Sequence, residues 1–310
     1  MIELVTPVCR DLWEVESFLR ERLKELEELA AKEGFLLFSA SLHPFARAQE
    51  QVLYDDPRYA AIFRELKLVG RRFIAQGLHV HLGMPHEEEA LRLYRQLLGY
   101  LPLLLALTTS SPFYEGENTG FHSYRTKLFE VLPLAGLPRD FSSWEEYEEL
   151  LAALRKYEII GSIRDLWWDV RIQPSLGTVE IRIFDAPGRL QDLLAVVAFT
   201  RVLAEELLEN PRALFPREFH LYGKWQAARH GLEGLFVDPL DREKKFLSEA
   251  LRELKTQLQP KAKELGLSVY WEMFDELLKR RPVSYRMLAL LETGATFAEI
   301  ITILKREFWT

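Results

Sequence analysis

The sequence predicts an α+β protein, in which a mostly antiparallel sheet is backed by helices and the C-terminal third is helical. Three observations support this fold class. Short segments at 78–83, 167–172 and 178–184 alternate between apolar and polar residues, which is the period of half-buried strands. Other segments carry apolar residues every three or four positions, which is the period of helices. From residue 190 onward nearly every segment has this helical period, so strands and helices are partly segregated along the chain.

The first half of the chain begins with a helix signal. Apolar residues recur every three or four positions after Asp11, and Gly34 lies where such a helix would end. The apolar run at 35–41 then predicts a buried strand, which ends at the turn formers His43 and Pro44. Further helices are predicted at 57–73 and at 86–110, the second interrupted by Gly99 and Pro102.

The middle of the chain combines a long irregular segment with a helix and a hairpin. Residues 111–138 are rich in Gly, Pro, Ser and Asn, and the loop 111–125 within this segment is either a substrate loop or a surface excursion. Ser142 and Glu145 predict a capping box before a helix that ends near Tyr157. Because Gly177 lies between the last two alternating segments, they predict an antiparallel hairpin. The remaining helices are predicted at 190–208, 240–264, 268–280 and 296–308.

Length and composition limit the class of protein. The chain has 310 residues, enough for one α+β domain over 1–310 with a helical part at 236–310 packed on it. Its net charge of −7 argues against a general nucleic-acid binder, and its one cysteine, Cys9, excludes an internal disulfide framework. The chain starts without a signal-peptide pattern, and its most apolar run, 97–107, is too short to span a bilayer. We therefore expect a cytoplasmic protein without nucleic-acid or membrane partners. The sequence does not decide whether the protein forms a homo-oligomer.

Two histidines share one face of the first predicted strand. His79 and His81 alternate there with Leu78, Val80 and Leu82, so the imidazoles lie about 7 Å apart along the backbone. Such a pair can bind a divalent metal or a phosphate. It can equally be two polar residues on a solvated sheet face, and the spacing does not decide between these interpretations.

The predicted hairpin has polar faces of the same kind. These faces consist of Trp167, Asp169 and Arg171 on one strand and Thr178, Glu180 and Arg182 on the other. A surface ladder of cross-strand ion pairs would explain them. The presence of polar faces on three strands instead favours one pocket, in which carboxylates would suit Mg²⁺ and arginines would suit phosphate. Neither a Walker A motif nor a GxGxxG motif occurs, so metals and side chains on a sheet would have to hold any nucleotide.

Several motifs, taken in order along the chain, resemble those of the bacterial glutamate–cysteine ligase family 2, the carboxylate–amine ligases. The motifs are Leu-His-Pro-Phe-Ala at 42–46, Leu-His-Val-His-Leu-Gly at 78–83, Ser-Ser-Pro-Phe at 110–113, Ser-Tyr-Arg at 123–125, Trp-Trp-Asp-Val-Arg at 167–171, Thr-Val-Glu-Ile-Arg at 178–182 and Trp-Gln-Ala-Ala-Arg-His-Gly-Leu at 225–232. The resemblance extends over essentially the whole chain, which makes it more specific than any single motif.

The resemblance implies a glutamine-synthetase-like site on an antiparallel sheet, which uses ATP and Mg²⁺. ATP would phosphorylate a carboxylate, typically the γ-carboxylate of glutamate, and an amine, classically that of cysteine, would attack the acyl phosphate. The implied metal ligands are Glu3, His79 and Glu180. The implied catalytic residues are Arg182, which would contact phosphate, and Arg125. The implied substrate- or nucleotide-binding residues are Arg171, Asp169, His81, Tyr124 and Asn118.

The chain also departs from the family pattern. The family usually opens with an additional strand that carries paired acids upstream of the segment matched by Glu3, and it commonly has an acid where this chain has Asn118. We therefore expect either a start upstream of Met1 or a partial metal site. Three functions remain open at this point: an ATP-dependent ligase, a non-catalytic relative that binds an amino acid or a nucleotide, and a metal hydrolase that uses His79 and His81. No third histidine at a telling spacing supports the hydrolase.

Overall fold

Helices surround one small central sheet and three shorter strand pairs, which confirms the α+β class. The computed structural model describes residues 1–52 and 55–309. The helices are α1 (Leu12–Glu33), α2 (Pro57–Arg71), α3 (Glu87–Leu97), α4 (Leu101–Ala106), α5 (Arg125–Phe129), α6 (Trp144–Lys156), α7 (Leu190–Glu209), α8 (Arg217–His230), α9 (Leu247–Glu264), α10 (Ser268–Arg280), α11 (Val283–Glu292) and α12 (Phe297–Glu307). The strands are β1 (Val80–Gly83), β2 (Phe113–Tyr114), β3 (Glu117–Asn118), β4 (Ala135–Gly136), β5 (Trp167–Trp168), β6 (Val170–Gln173), β7 (Thr178–Ile181), β8 (Leu235–Val237) and β9 (Lys244–Phe246).

The first helix begins and ends where the sequence predicts. The Asp11 side chain accepts a hydrogen bond from the backbone N–H of Glu14 at 3.0 Å, which caps the start of α1. Gly34 ends the helix with φ +76°, a left-handed conformation that glycine adopts without steric cost. The cap of α6 differs by one residue from the prediction, because Ser143 caps the helix and Ser142 instead bonds the carboxylate of Glu146.

The strand predicted at 35–41 is absent from the described residues, and this prediction is wrong. The segment makes no strand ladder, and its only bridge nearby pairs Leu42 with Ala75. Instead, the Ser41 N–H donates to the hydroxyl of Ser110 at 2.9 Å, and the Ser41 carbonyl accepts from the N–H of Gln76 at 3.0 Å. Side chains and single backbone bonds thus satisfy polar groups that a neighbouring strand would otherwise take.

The helix predicted at 240–264 begins later, at Leu247. The residues before it form the antiparallel pair β8–β9, in which Phe236 lies opposite Lys245. This hairpin packs against α8. The segment before Leu247 is therefore a turn followed by the largely exposed strand β9, whose backbone pairs with β8 instead of continuing the helix.

The central sheet has the strand order β1–β7–β6 and is antiparallel throughout, which confirms the predicted hairpin. Gly177 closes the hairpin with φ +60°. The apolar side chains of the three strands are buried, and α3 contacts β6 and β7 on that side while α7 packs behind α3. The register places Glu180 of β7 between His81 of β1 and Arg171 of β6. The polar residues therefore gather on the other face of the sheet.

The C-terminal helices pack on the rest of the chain through α7. Phe199 of α7 stacks on Phe274 of α10 with ring centroids 4.6 Å apart, and Trp271 lies 5.7 Å from Phe274. A second buried cluster joins Phe113 of β2 to α11 and α12. The assignment of 1–310 to one domain, with 236–310 packed on it, stays a prediction. No helix of the described part of the chain combines the length and the apolar character needed to cross a membrane.

Candidate active site

The polar face of the central sheet has a buried carboxylate at its centre. Glu180 is 2% exposed and lies on the middle strand, where neighbours on both sides can reach it. Arg171 Nε donates to Glu180 Oε2 at 2.6 Å, and Gln173 Nε2 donates to the same oxygen at 2.9 Å. Arg182 Nη1 donates to the other oxygen, Oε1. Both carboxylate oxygens are therefore occupied by hydrogen-bond donors.

The charge on Glu180 follows from these donors. Burial opposes ionisation of the carboxyl, but the guanidinium groups of Arg182 and Arg171 and the hydrogen bonds from Arg171 and Gln173 outweigh it. Together they hold the pKa of Glu180 at about 2. The group is thus a carboxylate at any pH at which the protein would work.

The two predicted histidines, on β1 and just before it, approach this carboxylate from the same side and are partly open to solvent. His79 Nδ1 is 3.8 Å and His81 Nε2 is 3.7 Å from Glu180 Oε1. Burial and the charges of Arg182 and Arg125 lower the pKa of His79 to about 3. Burial also lowers the pKa of His81, and its Nδ1 lies within hydrogen-bond distance, 3.0 Å, of Thr178 Oγ1. Both imidazoles are therefore neutral at pH 7.

Arg125 approaches the same face from the start of α5. Its Nη2 donates to the carbonyl of Arg182 at 3.2 Å and its Nη1 donates to that of Ile183 at 3.3 Å. Its guanidinium is buried beside the carboxyl of Asp185, with 3.8 Å between Nη1 and Oδ1. Gly77 leaves room for this arrangement, because a Cβ there would lie 2.5 Å from Arg125 Nη2.

Asp185 is a site residue that the sequence patterns do not reveal. It is fully buried and accepts hydrogen bonds from the Ser110 N–H at 2.9 Å, the Ser111 hydroxyl at 2.7 Å and the Ser123 hydroxyl at 3.0 Å. Burial raises the pKa of Asp185. The polar loop 110–125 is thereby anchored to the sheet next to Arg125. The motifs at 110–113 and 123–125 mark the serines of this contact in the sequence. Asp185, which all three serines bond, lies just after β7 and belongs to no motif.

The charge balance of the cluster favours an anion. We use "the Glu180 cluster" for His79, His81, Arg171, Glu180 and Arg182. Within it, two guanidinium groups face one carboxylate and the imidazoles are neutral, so one positive charge is in excess. Arginine in such a position recognises phosphate or carboxylate oxygens with two parallel hydrogen bonds. The cluster therefore suits an anionic group that approaches over the exposed edges of the histidines and Arg182.

The side chains gathered here do not fit Mg²⁺. Mg²⁺ demands near-octahedral oxygen coordination, and both oxygens of Glu180 already bind donors. Glu3 is exposed on the N-terminal segment and forms neither an ion pair nor a hydrogen bond with any residue in 1–52 or 55–309. Across the described chain, one metal-like group of carboxylates exists elsewhere, at Asp238, Asp241 and Glu253, and the Lys245 ammonium fills it. The metal role of Glu3, His79 and Glu180 stays a prediction that this arrangement of side chains does not support.

The other predicted residues surround the cluster at different distances. Asp169 pairs with the buried ammonium of Lys224 at 2.6 Å, and its backbone carbonyl accepts from the Arg182 N–H at 2.8 Å. Lys224, on α8, also lies 3.3 Å from Glu130 and was not expected to be part of the site. Asp169 thus supports the strand that carries Arg182.

Tyr124 and Asn118 lie in the loop before α5. Tyr124 lines a cleft of about 520 Å³ beside that helix. Asn118 is exposed in β3, and its side-chain oxygen accepts from the Gly120 N–H at 3.0 Å. The structure therefore brings Tyr124 to a cleft next to Arg125, whereas it uses Asn118 to shape a turn.

Comparisons with known proteins point to one family. Residues 1–296 match the family model described as "Glutamate-cysteine ligase family 2 (GCS2)". A protein of Gloeobacter violaceus named "Putative glutamate--cysteine ligase 2" is 41% identical over 278 residues, which cover 87% of this chain and 74% of that protein. A relative from Rubrobacter xylanophilus, bearing the same name with the number 2-1, is 33% identical over 98% of this chain and 82% of its own length.

Two solved structures share the fold. A bifunctional glutathione synthetase from Pasteurella multocida superposes with a TM-score of 0.63 at 17% identity, over 88% of this chain. The chain spans only 42% of the length of that protein. A glutamate–cysteine ligase from Francisella tularensis, solved in complex with AMP, superposes with a TM-score of 0.60 at 13% identity, over 87% of this chain and 72% of that one. At these identities the likeness shows the fold alone.

Proposed function

Because this chain belongs to the glutamate–cysteine ligase family 2, and is therefore an ATP-dependent ligase that forms a C–N bond, we propose that it joins the γ-carboxylate of glutamate to an amino-acid amine. The carboxylate oxygen would attack the γ-phosphorus of ATP, the bond to ADP would break, and ADP would leave. The amine nitrogen would then attack the acyl carbon, the bond to phosphate would break, and the nitrogen would lose a proton as phosphate leaves.

The Glu180 cluster is the observation that supports this proposal. Phosphoryl transfer requires little covalent chemistry from the protein and depends on positioning and on stabilising negative charge. Arg182 is the partly exposed guanidinium of the cluster, so it is the one that can contact a phosphoryl oxygen. Arg171 and Glu180 lie beneath it and fix its position. His79 and His81 are neutral, and each can donate a hydrogen bond to the same oxygens from its N–H group without first being protonated.

The test of this proposal is ADP release by the full chain with MgCl₂, ATP, glutamate and a pool of amino acids. We expect release that depends on glutamate, and omission of single amino acids from the pool then identifies the amine. Arg182→Gln should lower the rate at least a hundredfold, because a guanidinium that stabilises transition-state charge contributes several kcal/mol. Arg164→Gln is the matched control, since Arg164 is exposed outside the cluster. Release that is independent of glutamate, or equal in both variants, would refute the assignment.

Binding of the substrates without turnover is the alternative outcome of this assay. Among the described residues, no group of three or more His, Cys, Asp or Glu side chains at metal-binding distance includes Glu180. If the assay gives no ADP over the whole amino-acid pool while ATP or glutamate binds by calorimetry, the proposed reaction is refuted and binding alone remains. Binding of neither compound would refute the proposed site as well.

A further inference from the structure

The cleft beside α5 is lined by charges of both signs. The positively charged lining residues are Arg47 and Arg72, and the negatively charged ones are Glu115 and Glu117. The rings of Tyr114 and Tyr124 also line the cleft. Its volume of about 520 Å³ falls in the range of small-molecule sites. The formal charges of the lining residues cancel, which distinguishes the cleft from the Glu180 cluster.

These charges are available to a ligand because they do not neutralise one another. The guanidinium of Arg72 and the carboxylate of Glu117 form neither a hydrogen bond nor an ion pair with any described residue. Glu115 uses one oxygen, Oε1, to accept from the Ala48 N–H at 2.8 Å. Arg47 has one long contact, 3.9 Å, to the exposed Glu50. Opposite charges that line one cleft and remain more than an ion-pair distance apart match a ligand that carries both charges itself.

The cleft and the Glu180 cluster meet at one helix, α5. Tyr124, at its N-cap, and Leu128 line the cleft, and Arg125, between them in the chain, donates to the carbonyls of Arg182 and Ile183. A molecule in the cleft is therefore next to the helix whose Arg125 bonds the backbone of Arg182, the arginine that is proposed to contact phosphate. The excess positive charge suits a polyphosphate at the cluster, whereas the balanced charges suit a zwitterion in the cleft.

We propose that this cleft binds the amine substrate as an α-amino-acid zwitterion. Its α-carboxylate is held by Arg72, with Arg47 beside it, and its ammonium group is held by Glu117, with Glu115 beside it. This inference rests on the proposed function, since it assigns one substrate of that reaction to a place. It also predicts that both charged groups of the amino acid contribute to recognition, independently of its side chain.

The test measures binding of three probes by calorimetry with the full chain, glutamate and a non-hydrolysable ATP analogue present. The probes are L-cysteine, cysteamine, which lacks the carboxylate, and 3-mercaptopropionate, which lacks the ammonium group. Arg72→Gln should raise the Kd of L-cysteine about tenfold to a hundredfold and leave that of cysteamine unchanged. Glu117→Gln should raise the Kd of L-cysteine and of cysteamine and leave that of 3-mercaptopropionate unchanged. Arg71→Gln and Glu65→Gln, which change neighbouring exposed residues outside the cleft, are the matched controls.

Two outcomes would overturn the inference. Equal L-cysteine affinity in the wild type, Arg72→Gln and Glu117→Gln would place the amine elsewhere. Absence of binding by L-cysteine and by every other standard amino acid would remove the site altogether. Glutamate-dependent ADP release by the same wild-type preparation tests the proposed function separately. Release together with unchanged affinities refutes only the cleft, whereas charge-dependent binding without release refutes only the ligase proposal.

Discussion

Arg125 occupies its position because Gly77 has no side chain. A Cβ on residue 77 would lie 2.5 Å from Arg125 Nη2 and 2.9 Å from the carbonyl oxygen of Phe184, and the second of these is backbone that cannot swing away. We expect Gly77→Ala to displace the guanidinium and to lower the rate of glutamate-dependent ADP release at least tenfold, since misplacement by about 1 Å can cost a hundredfold.

Gly83→Ala is the control for this change, because a Cβ on residue 83 meets nothing within 4 Å and the backbone there needs no positive φ. Circular dichroism of both variants would show whether the fold is kept. A Gly77→Ala protein with full activity would mean that Arg125 has no role at the reacting atoms.

His122 makes stability depend on pH. Burial and the charges of Arg281 and Arg229 lower its pKa to about 4, while a histidine in the unfolded chain titrates near 6.5. The unfolded state therefore binds more protons between about pH 6.5 and pH 4, so the free energy of unfolding should fall as the pH drops through this window.

Urea titrations at several pH values would measure this dependence. Each proton taken up on unfolding contributes up to about 1.4 kcal/mol per pH unit, and the partial exposure of His122 makes the real slope smaller. His122→Asn should flatten the slope between pH 6.5 and 4, and it keeps an amide that can bond the Ser284 hydroxyl, which is 2.9 Å from His122 Nδ1. An unchanged slope would show that other groups determine how the free energy of unfolding depends on pH in this range.

Between elements, α8 is tied to the central sheet by one buried ion pair. Lys224 of α8 donates to Asp169, which lies between β5 and β6, and it is almost fully buried. Lys224→Met should lower the free energy of unfolding by about 2 kcal/mol, because it leaves the Asp169 carboxylate without its partner.

A double-mutant cycle with Asp169→Asn isolates this pair. The double variant should be less destabilised than the sum of the single variants, since the neutral amide introduced by Asp169→Asn no longer needs a cation. Chemical denaturation of the four proteins provides the four free energies. Strict additivity would mean that the contact contributes nothing, and the pair could then not position Arg182.

The elements differ in how far the sequence predicts them. Helices with strong apolar periodicity were predicted: α1 follows Asp11 and ends at Gly34, and the helix expected at 296–308 is α12. The period of two correctly assigned the faces of β1, β6 and β7, and hence the meeting of Glu180 with Arg171 and the two histidines. The strand at 35–41 is wrong because an apolar run does not reveal the hydrogen-bond partner of the backbone, and Phe35 and Leu36 are exposed instead of buried. Asp185 and Lys224 were missed for a related reason, since only the tertiary fold brings their partners to them.

For the molecule as a whole, the packing of α10 on α7 tests the single-domain prediction. Phe274 stacks against both Phe199 and Trp271, which also stack on each other, and it is fully buried. Phe274→Ala should cost about 3 to 5 kcal/mol of stability, as truncation of buried aromatic side chains does. If residues 1–310 form one cooperative unit, hydrogen exchange should then accelerate equally in α10 and in the strands β6 and β7. Faster exchange confined to the C-terminal helices would indicate two units.

The strand order β1–β7–β6 also affects how the protein is made. The register pairs His81 with Glu180, so β1 can join the sheet only after a strand that lies about 100 residues later in the chain has been synthesised. At a ribosomal rate of roughly 5 to 20 residues per second, this delay is about 5 to 20 seconds. During it the apolar side of β1 has no sheet to join, and folding of the sheet depends on a distant contact, which slows it. The polar face that carries the Glu180 cluster cannot exist on the nascent chain until most of the molecule has been synthesised.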